Sequence, residues 1–98
     1  MRERVLRTGR KVREESALLE ELLRAEVKRE FAKHQVLRIL CDEKGWPRSD
    51  YDRVMKWVNG YNRRVEVGLL MDALEAVGAD WKIVFERAWL RRRYELLK

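Results

Sequence analysis

The stretch LRILCDEKGWPRSDYDRVMKWVNG, residues 37–60, decides how this chain folds. Lys44-Gly45 ends one helix, because glycine takes up the left-handed backbone that closes a helix. Pro47 forbids immediate continuation, since its ring fixes φ and removes a backbone donor. Ser49 or Asp50 is then placed to cap a second helix by accepting the free N–H groups of its first turn. Tyr51, Val54, Met55 and Val58 follow at helical spacing, so they face inward. Arg53, Lys56 and Trp57 fall on the other side. Asn59-Gly60 stops this helix, and Tyr61–Arg64 forms a basic loop.

Upstream, Leu19, Leu23, Val27 and Phe31 recur every fourth residue, widened by Leu18, Leu22 and Ala25. This predicts an amphipathic helix from Glu14 onward, with helix continuing through residues 31–44 on Ala32, Val36, Ile39 and Leu40. Downstream, Val67, Leu70, Met71, Leu74 and Val77 form the stripe of a further helix, which Gly78 terminates. Trp81, Ile83 and Phe85 alternate with Lys82, Val84 and Glu86, a pattern open to either a short strand or a helix start. Leu90, Tyr94 and Leu97 share one helical face beside Arg91-Arg92-Arg93. The expected fold class is all-α: a small helix-turn-helix bundle of 4–5 helices, with room for a short strand near 81–86. The expected organisation is a basic N-terminal arm (1–13), a helical domain holding the helix-turn-helix (14–80) and a basic, aromatic C-terminal extension (81–98). Gly9 is read as interrupting any helix in the arm.

The 98 residues suffice for one domain, with 46% apolar and 41% charged residues. So short a chain has a large surface for its volume, and a homodimer is expected to help it. The formal net charge of +6 favours a polyanionic partner. The abundance of Arg suits phosphate and guanine recognition through its planar fork of donors, and equally suits a heat-stable protein. The charge lies in blocks: net +5 over 1–13, −3 over 14–30, +4 over 31–64, −4 over 65–86 and +4 over 87–98. The basic blocks either form a docking face or pair with the acidic blocks across the fold. A single cysteine, Cys41, excludes an intramolecular disulfide framework and points to a reducing, cytoplasmic setting. No apolar run reaches the roughly 18–20 residues that a membrane span needs, so no membrane partner is expected. The N-terminal charges have no apolar signal core behind them.

From Val36 to Asp80 the chain resembles the lambda-repressor-like helix-turn-helix family, of the Cro and Xre type. The likeness rests on the helix–Gly–turn–Ser–helix order of LRILCDEKGWPRSDYDRV, on RVMKWVNG as a recognition-helix ending, and on LLMDALEAVGAD as the following core helix. The span from Gly45 to Gly60 is about three residues longer than the family's usual turn and recognition helix, and Lys44 stands where an apolar residue is usual. The loop after Asn59-Gly60 also lacks the family's frequent proline. The resemblance implies sequence-specific binding of double-stranded DNA by a transcriptional repressor or antitoxin-like regulator. It places the helix near 49–58 in the major groove, with Arg48, Ser49, Asp50, Asp52, Arg53 and Lys56 as its polar positions. Tyr61, Asn62, Arg63 and Arg64 would then follow the phosphate backbone. Tyr51 and Trp57 read as core residues more readily than as base-stacking ones. The resemblance also implies a dimer on a palindromic site, with segments 14–30 and 81–98 as the places for that contact.

Nothing in the sequence points to an enzyme, a cofactor or a metal. His34 is the only histidine and reads as a surface or half-buried helix residue. Cys41 has no metal-ligand spacing around it and reads as a small core residue. Ser16 and Ser49 read as helix-start residues, and the acidic pairs follow solvent-face spacing. The competing function class is a protein-interaction module, such as a small phage-type inhibitor that binds a protein partner through its Leu-rich and aromatic helices. Trp81, Trp89 and Tyr94 carry that reading, since aromatic residues often anchor interfaces.

Overall fold

A computed structural model describes the backbone of residues 2–97 and the side chains of residues 13–97. Four α-helices run in order: α1 (Arg2–Phe31), α2 (Arg48–Val58), α3 (Val67–Ala76) and α4 (Trp81–Leu96), with a π-helical segment, Arg38–Glu43, between α1 and α2. The fold is all-α, and no strand occurs among the described residues. The alternation at 81–86 belongs to the first turns of α4. The Asp80 side chain caps that helix by accepting from the backbone N–H of Lys82 at 2.9 Å. A capped N-terminus satisfies donors that a helix start otherwise leaves open, and this favours helix over strand here.

Two expected boundaries shift. The first helix begins at Arg2, not at Glu14, and runs through Gly9. A mid-helix glycine costs about 1 kcal/mol relative to alanine, which a helix this long tolerates. The side chains of Arg2, Arg4, Arg7, Arg10 and Lys11, expected to form the basic arm, lie outside the described residues. The second shift is a break where continuous helix was expected. After Phe31 the backbone tightens, with Lys33 N–H donating to Glu30 at 3.1 Å and His34 N–H to Phe31 at 3.1 Å. The cause is a slip in apolar phase. Continuing the stripe of Val27 and Phe31 would bring Gln35 and Arg38 inward. The turn instead buries Phe31, Val36 and Leu40 in one core.

That core sits where α1, the π-helical segment, α2 and α3 meet. Trp57, Leu40, Leu70, Leu74, Val27 and Val54 are its largest fully buried side chains. Each such aliphatic side chain contributes about 1.5–3 kcal/mol relative to exposure. Trp57, which helical spacing set opposite Val54 but whose residue type read as core, is only 2% exposed. Val67, expected in the α3 stripe, is exposed, and Ala73 is buried in its place. α4 lies antiparallel along α1: Phe85 and Trp89 border Leu19 and Leu23, while Arg92 reaches back to the Glu15 carbonyl. Glu26, buried on α1, accepts from Arg91 Nη1 at 2.9 Å. Arg91 thus pairs with a buried carboxylate in the acidic stretch of α1, and Arg92 with its backbone. No described helix is long and apolar enough to cross a membrane.

Candidate nucleic-acid interface

The segment before α2 is short and more loosely wound than an α-helix. Lys44 N–H donates to Ile39 O at 3.0 Å, five residues back, and Trp46 N–H donates to Leu40 O at 2.8 Å. Gly45 takes φ +71°, a left-handed conformation that a side chain disfavours. The turn therefore closes on a residue suited to it, and α2 starts one residue after Pro47, at Arg48. Neither Ser49 nor Asp50 acts as the expected cap, because the cap position is Pro47 and carries no side-chain hydrogen bond. Asp50 instead sits in the first turn, where a negative charge suits the helix dipole.

α2 is anchored from behind as the sequence predicts. Val54 and Val58 are buried, and Tyr51 and Met55 are half-buried. Trp57 adds to this anchor: its indole N–H donates to Glu20 of α1 at 3.5 Å, and Arg24 stacks over its ring at 5.2 Å. With that side fixed, Ser49, Arg53 and Lys56 project along the solvent face, flanked by Arg48 and Asp52. Asp50 turns toward α3, bordering a surface depression with Leu69 and Asp72, and so leaves this row.

The basic loop joins the same face through the helix end. Gly60 N–H donates to Trp57 O at 3.1 Å, and Tyr61 N–H donates to Lys56 O at 2.7 Å. These two bonds satisfy the terminal carbonyls and fold the chain back beside α2. Arg24 donates to the Asn62 carbonyl at 3.5 Å and ties the loop to α1. Arg53, Asn62, Arg64 and Glu66 line one shallow depression, so the helix and the loop present a continuous surface. Tyr61, 82% exposed, precedes it in the same loop.

The electrostatics of this surface are mixed. Arg48 pairs with Asp52 at 3.2 Å and lies over the Tyr51 ring at 5.3 Å. Arg53 has Asp50 at 4.0 Å and Glu66 at 3.8 Å, yet stays 62% exposed. Exposed pairs of this kind are worth about 0–1 kcal/mol, so a phosphate or a guanine edge competes with them. Among the described residues, Lys56, Arg63 and Arg64 make no ion pair. Arg24 and Glu66 are the two functional neighbours that sequence reading missed. Both act across long sequence separations, and neither belongs to a local motif.

The residues weighed for catalysis do not converge. His34 lies in the turn after α1, not in a helix, with its ring 3.6 Å from Glu30. Burial works to raise the Glu30 carboxyl, but hydrogen bonds and charge from Lys33 and His34 outweigh it and hold it below its ordinary value. Cys41 is half-buried and unpaired by disulfide. Among the described residues, no group of three metal-ligating side chains comes together. No family model, curated protein or solved structure matches this chain.

Proposed function

We propose that this protein binds double-stranded DNA sequence-specifically through α2, as a transcriptional repressor or antitoxin-like regulator. One observation carries the reading. Ser49, Arg53 and Lys56 share the solvent face of a short helix whose opposite face is locked into the core, and Arg53 shares a surface depression with Asn62 and Arg64 of the following loop. The order of turn glycine, α2 and α3 supports the resemblance to lambda-repressor-like helix-turn-helix proteins. Arg53 is the residue for base edges, where a good bidentate contact gives about 1–3 kcal/mol of discrimination. Its exposed pairs with Asp50 and Glu66 are weaker than that and hold the guanidinium forward until DNA replaces them. Lys56, Arg63 and Arg64 supply phosphate contacts, which give affinity without sequence information.

Selection from a random duplex pool tests this. The expected result is an enriched motif that Arg53→Ala relaxes at one or two positions while leaving melting temperature unchanged. A pool that stays random, or an enriched motif indifferent to Arg53→Ala and Lys56→Ala, contradicts it. The protein-interaction reading draws on a separate observation, the apolar outer face of α4.

A further inference from the structure

α4 is apolar on two opposite sides. Val84 and Ala88 are buried against the rest of the fold, at 3% and 0% exposure. On the far side, Ile83, Leu90, Tyr94 and Leu97 stand 47%, 49%, 65% and 79% exposed. Ile83, Leu90 and Leu97 are spaced by seven residues, and Tyr94 falls beside them, so together they form one straight stripe. A contiguous apolar stripe left exposed on the far side of a packed helix marks a contact surface.

We infer that this stripe is covered by a second copy of the same chain, packed antiparallel about a two-fold axis at Leu90. The pattern of residues along α4 is self-complementary in that one register. With Leu90 on its own symmetry mate, Ile83 meets Leu97 of the other copy, and Leu97 meets Ile83. Glu86 and Arg93 lie on the same edge of the stripe, seven residues apart. In the antiparallel register each faces the other across the axis, forming two symmetric ion pairs. On the opposite edge, Arg87 comes against the Tyr94 ring. Within one chain, neither Glu86 nor Arg87 makes an ion pair among the described residues, so both are available. The Glu86–Arg93 pairing is generated twice by the two-fold itself and needs no second kind of chain.

The area is adequate. The four stripe side chains expose on the order of 450 Å² per copy, so pairing removes about 900 Å² before the flanking charges are added, close to the roughly 1,000 Å² at which specific interfaces begin. The pairing uses none of the α2 or loop residues, and it stands whether or not the protein binds DNA.

Sedimentation equilibrium of the full chain without nucleic acid tests it. The wild type is expected to dimerise reversibly, and Leu90→Arg, which sets two like charges on the axis, to raise the dimer dissociation constant more than about tenfold with unchanged helical circular dichroism. Charge swaps provide a second route that leaves the apolar stripe intact. Glu86→Arg and Arg93→Glu each replace two attractive pairs with two repulsive ones, and each alone is expected to weaken self-association. Mixing the two variants is expected to restore it, because the mixed dimer regains both pairs. A wild type that stays monomeric at every concentration overturns the inference. So does a dimer indifferent to Leu90→Arg, or a mixture no more associated than its components.

Discussion

α2 and α4 are built from similar residues and are used in opposite ways. Both carry tryptophan and aliphatic side chains, with two arginines in α2 and four in α4. In α2 every large apolar side chain turns toward the core, and the remaining surface is left to Ser49, Arg53 and Lys56. In α4 the apolar residues divide between two sides, and Arg91 and Arg92 reach back to the Glu26 carboxylate and the Glu15 carbonyl of α1. The difference teaches where to look for partners. A helix with one apolar face offers the surrounding water, and any polyanion in it, its polar chemistry. A helix with two apolar faces offers a second packing surface, and its charges only trim the edges.

The contrast predicts a hierarchy of mutational effects. Trp57→Ala on α2 should destabilise the fold by about 3–5 kcal/mol, as large aromatic truncations in cores do. Trp89→Ala on α4, whose ring is 43% exposed, should cost about 1 kcal/mol or less. Equal costs in urea titration would erase the distinction between the two helices. Next in size is the charge pair that seats α4. Arg91→Met leaves the buried Glu26 carboxylate with Arg29, 3.9 Å away, as its one ion-pair partner among the described residues, and should cost about 3 kcal/mol. Glu26→Gln removes the buried charge, keeps an acceptor for Arg91, and should cost less than about 1 kcal/mol.

Surface cations on α2 and the loop should show the reverse profile. Lys56→Ala and Arg64→Ala should each leave stability within about 0.5 kcal/mol of the parent, because both side chains are exposed and unpaired among the described residues. Their effect belongs in binding. The smallest effect concerns acid. Glu30 is held below its ordinary value of 4.5, so its stabilising contribution is complete above that pH and fades as pH falls through the lowered value. Glu30→Gln should flatten this acid-limb slope slightly, read as melting temperature between pH 5 and pH 3.

The same contrast explains what the sequence made legible. α2 was readable because Pro47, the spacing of Tyr51 to Val58 and the Asn59-Gly60 stop are local signals that agree with one another. The contiguity of Lys56 with the basic loop followed from that stop. α4 was ambiguous because its apolar and charged residues are spread around the helix with no single phase to detect, so Trp81–Glu86 fitted strand and helix alike. The Asp80 cap and the leucines of α1 resolve it, and the second of these is a long-range contact. The break after Phe31 left a trace in the shifted apolar phase between Phe31 and Val36. The placement of Trp57 did not: burial of that ring depends on Glu20 and Arg24, both far away in sequence. Arg53 facing Glu66 is likewise a product of the tertiary fold.

The central claim is that α2 and the loop 61–64 form a phosphate-binding face. The most direct test is the salt dependence of binding to duplex DNA, compared between the parent and the Lys56→Ala/Arg64→Ala double variant. Each phosphate contact contributes about 0.9 to the slope of log K against log salt, so the double variant should show a slope shallower by about two. An identical slope in the two proteins would contradict this, placing the DNA on some other face.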